Sequence, residues 1–291
     1  MSESPNKEIT ALLQLVDDPD EEVYDLVSSK IVDYGKTIIP NLEHIWETSI
    51  DQQVQERVER LIHRLHFTDL KTDLSSWAKE ENPSMLEGAI LASKFQYPDL
   101  NQTALLVEVE KIRRTVWLEL NNYLTPLEQI NILSSVVFNY IGLKGTEIKK
   151  ANPNDFLFNK IIETKQGNQF GNGLLFLVFA EMLDLPIKAI QIPGFFALAY
   201  FKTEFSFDES DFTKQKISYY FDPGYGQIFS QADVDTYFEK LAGSPAKGSY
   251  FEPLDNKQAL QRWMLEYSRC FDNSKDQEKK NELLELAALL G

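Results

Sequence analysis

Nucleophilic or acid–base chemistry near neutral pH needs a thiol or an imidazole more often than any other side chain, and this sequence is short of both. One cysteine, Cys270, and three histidines, His44, His63 and His66, make up the whole supply. No histidine follows His66, so no thiol–imidazole pair is suggested by proximity in the chain. The histidines read as surface or half-buried helix residues, and Cys270 as a small buried hydrophobe. A lone cysteine excludes an internal disulfide and a four-cysteine metal site, and suits a reducing compartment. Asp222, in Phe221-Asp222-Pro223-Gly224, reads as a turn starter whose carboxylate caps its own backbone. Gly167, Gly171 and Gly173 precede an apolar helix, but their spacing fits neither a Walker loop nor a dinucleotide fingerprint, and no Lys-Ser or Lys-Thr follows. Asp208, Glu209 and Asp211 lack the spacing and turn glycine of a calcium loop, so they read as a solvated acidic connection. No metal or cofactor site is expected.

The elements around these residues are mostly helical. Leu12, Leu13 and Val16, then Val23, Leu26, Val27 and Ile31, fall at helical spacing on either side of Asp17-Asp18-Pro19-Asp20-Glu21-Glu22. Gly35 and Pro40 set off a helix with Leu42, Ile45 and Trp46, and Val54, Val58, Leu61 and Leu65 mark another. Asn82-Pro83-Ser84 is the next boundary. Helical spacing continues over 85–91, 104–123 and 126–141, with Gly142 closing the last. Beyond Gly145 the pattern changes. A turn at Asn152-Pro153-Asn154-Asp155 precedes a short helix over 157–163, and the stretch 167–173 reads as a flexible glycine-rich loop. The almost wholly apolar helix from Leu174 to Leu183 must be buried on all sides. Segments 187–192, 195–201 and 217–222 are rich in β-branched and aromatic residues and bounded by Pro and Gly, so they read as strands, with an acidic connection over 203–214 between the last two. From Leu254 the chain is helical again, with Leu260, Trp263, Met264 and Tyr267 on one face.

A chain of 291 residues, 43% hydrophobic, can bury a sizeable core in one large domain or two smaller ones. A formal net charge of -16 opposes binding to phosphate backbones and anionic lipid heads, so neither nucleic acid nor membrane is an expected partner. The N-terminus has no basic start followed by an apolar run, and no apolar stretch is long enough to span a bilayer. A soluble, cytoplasmic protein is the expectation.

The order of parts carries a resemblance. The stretches that bear it are Leu86-Glu87-Gly88-Ala89, Tyr97-Pro98-Asp99-Leu100, 137–145, Asn152-Pro153-Asn154-Asp155, 158–162, the Gly167 loop, Leu183-Asp184-Leu185-Pro186, Ile192-Pro193-Gly194-Phe195-Phe196, Phe221-Asp222-Pro223, and 260–265. Together they resemble the transglutaminase-like superfamily of papain-type fold, and more closely its bacterial SirB-type proteins, a family tied to a regulatory locus. The Asp17-to-Val23 stretch and Ile38-Ile39-Pro40-Asn41-Leu42 resemble at most two HEAT-type units, short of the three or so that a solenoid needs to stand alone. The fold expected is therefore α+β and predominantly helical. A HEAT-like helical arm over 1–80 precedes a transglutaminase-like domain over 83–291, with a helical lead-in 83–144, a core 145–240 of buried central helix plus small antiparallel sheet, and C-terminal helices 254–290.

The resemblance implies a site in which a thiol at a helix start, a histidine on a neighbouring strand and an aspartate on the next act together. Carried onto this chain, the nucleophile position falls on Gln169, the base position on Phe195 and the orienting carboxylate on Asp222. An amide is no nucleophile and a phenyl ring accepts no proton. Gln169 could hydrogen-bond an amide in the old cleft or tie down its loop. The expectation is a catalytically inactive protein or peptide binder whose vestigial cleft includes Gln169, Phe195, Asp222, Asn168 and Phe170. The alternative is a hydrolase or transferase working without cysteine, through Asp222 or a tyrosine such as Tyr219 or Tyr225. A third reading puts the binding surface on the helical arm.

Overall fold

The computed structural model describes residues 8–9, 11–13, 15–16, 20–148, 152–192, 195–202, 216–240, 247–272 and 276–291. Asp17, Asp18 and Pro19, Pro193 and Gly194, and the acidic connection with Asp208, Glu209 and Asp211 lie outside these residues. The chain forms two compact units, Met1–Asp73 and Leu74–Gly291.

The first unit is helical. Helix α1 (Glu21–Asp33) starts where Asp20 accepts a hydrogen bond from the Glu22 N–H. A 3-10 turn (Gly35–Ile38) leads into α2 (Ile39–Thr48), with Pro40 in its first turn, where a missing N–H costs nothing. Helix α3 (Gln52–Ala78) begins in this unit and ends in the next. Val27, Ile31, Leu42, Val58 and Leu61 form the core of the first unit. His44, His63 and His66 all fall on α2 and α3.

The second unit is built around one buried helix. Helices α4 (Met85–Lys94), α5 (Gln102–Glu119) and α6 (Pro126–Ser135) precede it, the last continued by a π-helical turn (Val136–Tyr140). Then come strand β1 (Lys144–Thr146), a 3-10 turn (Pro153–Asp155), α7 (Phe158–Thr164) and β2 (Gln166–Asn168). Strands β1 and β2 pair in parallel, with Gly145 opposite Gly167. Helix α8 (Gln169–Met182) follows directly, and every residue from Phe170 to Ala180 is buried. Helices α4, α7 and α10 (Asn256–Ser268) pack around α8 together with β3 (Ile187–Ile190). At the far end of α8 the Glu181 carboxylate accepts from Ser84 Oγ, the Met85 N–H and Asn256 Nδ2, tying the starts of α4 and α10 to it.

The sheet runs β3-β4-β5-β6, antiparallel throughout, with β4 at Ala197–Phe201, β5 at Ile217–Asp222 and β6 at Gln227–Phe229. Its register sets Ile190 opposite Ala197 and Leu198 opposite Phe221. The three strands expected from residue type are present; β6, β1 and β2 had no comparable run of β-branched residues to announce them. Helix α9 (Gln231–Lys240) covers one sheet face, where Val234 and Phe238 pack with Ile190, Ala199 and Tyr220. A short helix (Arg269–Phe271) and α11 (Gln277–Ala288) complete the unit.

One expectation is corrected here. The stretch 167–173 is not a flexible loop: residues 166–168 are strand and α8 starts at Gln169. The glycines serve close approach. A Cβ on Gly171 would lie 2.3 Å from the Asp155 carbonyl oxygen, and one on Gly173 would lie 2.3 Å from the Phe196 ring. Asn168 supplies the cap, its Oδ1 accepting from the N–H groups of Phe170 (2.9 Å) and Gly171 (3.0 Å).

Candidate functional site

Three elements converge at the start of α8. Gln169 is its first residue, Phe195 sits just ahead of β4, and Asp222 ends β5. All three line one cavity of about 450 Å³. Its walls are the sheet residues Ala197, Tyr220 and Phe229 on one side and Val234 and Tyr237 of α9 on the other. The Phe195 ring is 41% exposed and meets Tyr237 edge to face, with ring centroids 5.4 Å apart. This is the geometry expected of a pair of aromatic rings that share a wall.

Asp222 is held by its own turn. Its Oδ1 accepts from the Gly224 N–H at 2.8 Å, and its carbonyl accepts from the Gly226 N–H at 2.9 Å. The turn-starting role read from Phe-Asp-Pro-Gly is therefore present. The same Oδ1 takes a longer hydrogen bond, 3.4 Å, from Gln169 Nε2 across the cavity floor. Burial pushes the Asp222 carboxyl above the usual carboxylate range, while the Gly224 and Gln169 donors pull it back down.

Phe195 is positioned from behind. Arg262 on α10 donates from Nη1 to the Ile190 carbonyl (2.7 Å) and from Nη2 to the Ile192 carbonyl (2.7 Å) and the Phe195 carbonyl. One guanidinium thus fastens the connection between β3 and β4, and it also lies over the Phe196 ring, 5.8 Å from its centroid. Burial pushes its pKa down, opposed by the nearby Glu266. Arg262 was part of the resembling stretch 260–265, yet nothing in the sequence pointed to its three carbonyl partners.

A domain model of the transglutaminase-like superfamily matches residues 103–265, more than half of the chain. The chain belongs to that superfamily. No curated protein and no solved structure matches it. Within this transglutaminase-like protein, the positions that the resemblance assigned to nucleophile, base and orienting carboxylate, residues 169, 195 and 222, border one cavity. Asn168 and Phe170 do not line it. Successive residues of a helix point about 100° apart, so Asn168 turns inward to cap α8, and Phe170 packs between Phe156 and Phe196 with centroids 6.1 and 5.1 Å away. Tyr219 and Tyr225 also lie outside the cavity lining, Tyr225 being largely exposed.

The chemistry available is narrow. Among the described residues that line the cavity there is no cysteine, serine, histidine or lysine. Cys270 lies instead in the short helix after α10, where burial and then the carboxylates of Glu266, Asp155 and Asp272 push its thiol up to about 12. Among the described residues no group of three or more His, Cys, Asp or Glu is placed to hold a metal ion, and no helix is long and apolar enough to cross a membrane.

The α9 wall was missed from sequence. Its signal was present: Ser230 and Asp233 have capping-box spacing, followed by Val234, Tyr237 and Phe238 at helical intervals. In the structure Asp233 Oδ2 accepts from both the N–H and the hydroxyl of Ser230, at 2.8 and 2.6 Å.

Proposed function

We propose that this protein is a catalytically silent member of its superfamily, of the SirB-type group, that binds a polypeptide partner in the cytoplasm through the cleft at the start of α8. One observation carries the reading. At the helix start where a thiol would need a base, Gln169 instead donates an amide hydrogen bond to Asp222, and Phe195 presents an aromatic wall. The Gln169 bond gives the carboxylate a fixed neutral donor in place of an imidazole. The cavity is largely apolar and within the size range of ligand sites, with its polar groups gathered at Gln169, Gln227, Asp222, Asp233 and Thr236. A silent cleft with an aromatic lining and few polar anchors favours recognition over turnover. The HEAT-like reading of the N-terminal arm offers a second binding surface.

The test compares partners retained from cell extract by wild type and by a Gln169→Ala, Phe195→Asp variant, quantified by mass spectrometry after a circular-dichroism check of folding. A protein held by wild type and lost by the folded variant supports the cleft. Identical retention by both refutes it and shifts weight to residues 1–80.

A further inference from the structure

We propose that the cleft recognises an arginine side chain of a partner polypeptide. This deepens the reading of the cleft as a polypeptide site and rests on it. Among the described lining residues there is no Lys, Arg or His to repel a guanidinium, whereas two carboxylates, Asp222 and Asp233, are present. Arg262, the cation behind the wall, is committed to three backbone carbonyls.

The floor offers a pair of acceptors. Asp222 Oδ1 is occupied by Gly224 and Gln169, and among the described residues no hydrogen bond reaches Asp222 Oδ2. Because Gln169 donates through Nε2, its Oε1 is left as a second acceptor on a side chain that lines the same cavity. A planar guanidinium has several N–H donors in a fixed fork and reaches two neighbouring acceptors at once, which a compact ammonium does less well. Burial disfavours the Asp222 anion as it stands, and an incoming cation supplies the missing counter-charge.

The walls select the same group. Phe195, Tyr220, Phe229 and Tyr237 line the same cavity as Asp222 and Gln169. Aromatic faces attract a cation within about 6 Å, and a guanidinium, being weakly hydrated, loses less on leaving water than an ammonium does. The formal net charge of -16 draws a basic segment towards the molecule and speeds its encounter.

The experiment uses the full-length protein and pools of N-acetylated, C-amidated pentapeptides with random apolar flanks and a fixed central residue: arginine, its uncharged isostere citrulline, or lysine. Binding is measured by fluorescence anisotropy at low and moderate salt. The expected result is that the arginine pool binds at least tenfold more tightly than the citrulline pool, and that Asp222→Asn reduces this difference to less than twofold. Equal affinity for arginine and citrulline overturns the cation assignment and leaves the cleft reading standing. Lysine binding as tightly as arginine overturns the choice of a guanidinium. An arginine preference that survives Asp222→Asn places the recognition elsewhere and overturns the proposal. Absence of binding by every pool, with wild type still losing its extract partner on Gln169→Ala, Phe195→Asp substitution, overturns the arginine assignment alone. Absence of both removes the cleft reading as well.

Discussion

Replacing Arg262 by methionine removes the guanidinium while keeping an unbranched, mostly apolar side chain in its place. Three carbonyls lose a charged donor at once, and two of them belong to Ile190 and Ile192, which are 0% and 6% exposed. A hydrogen bond to a charged group contributes about 1.5–3 kcal/mol, and an orphaned buried acceptor costs about 1–3 kcal/mol. The three bonds share one side chain, and Phe195 is partly exposed, so its carbonyl can regain water. The net loss is then about 2–4 kcal/mol rather than the full sum. For a unit the size of Leu74–Gly291, roughly 2–4 °C of Tm is lost per kcal/mol, which gives a drop of about 5–15 °C. Thermal unfolding followed by circular dichroism measures it, with Arg262→Lys expected in between because an ammonium cannot span all three carbonyls. A Tm for Arg262→Met within 2 °C or so of wild type would refute the claim that this guanidinium fastens the β3–β4 connection.

Further outcomes follow from the same geometry. Gly171→Ala is expected to destabilise by about 2 kcal/mol, since a Cβ 2.3 Å from the Asp155 carbonyl outweighs the roughly 1 kcal/mol gained in helix propensity; the urea midpoint reads it, and a rise would contradict the packing argument. Asp222→Asn keeps an acceptor for the Gly224 N–H and removes a carboxyl whose folded-state pKa is raised by burial. The folded wild type therefore binds its proton more tightly than the unfolded chain does. Wild type loses stability relative to Asp222→Asn as pH rises from the ordinary carboxylate range through the raised value, and the gap is constant above it. Denaturant titrations from pH 3 to pH 8 check this, and a gap that moves the opposite way would show an anion stabilised by the fold. Cys270, with its thiol pushed up to about 12, is expected to react with iodoacetamide at pH 8 at least tenfold more slowly than free cysteine in the native protein, and at the free rate once unfolded.

How far the sequence could be read depended on whether a residue's partner was local. Strands β3, β4 and β5 were legible because their β-branched and aromatic residues lie between Pro and Gly boundaries. The buried middle of α8 was legible because apolar residues fill every face. Its start was not. Gly171 and Gly173 have the composition of a loop, and only the neighbouring Asp155 carbonyl and Phe196 ring, brought close by the fold, require residues without a side chain inside a helix. The positions of Gln169, Phe195 and Asp222 are legible from the order of motifs across the chain, whereas Asn168 and Phe170, expected in the same cleft, do not line it. Arg262 was illegible as a positioning residue because its partners are carbonyls about 70 residues away, which no side-chain pattern encodes.

The central claim is that residues 169, 195 and 222 stand where a nucleophile, its base and an orienting carboxylate would stand, with the first two replaced. Measuring the pH dependence of iodoacetamide labelling at position 169 in Gln169→Cys and in Gln169→Cys, Phe195→His, each with Cys270→Ser so that the new thiol is the single one, tests it most directly. The account predicts that adding the imidazole raises the labelling rate near pH 6 by at least tenfold, through a thiolate paired with an imidazolium at the start of α8, and that Asp222→Ala in the same background removes much of the gain. Identical pH profiles with and without the imidazole would contradict the assignment of these positions and the silent-site reading with it.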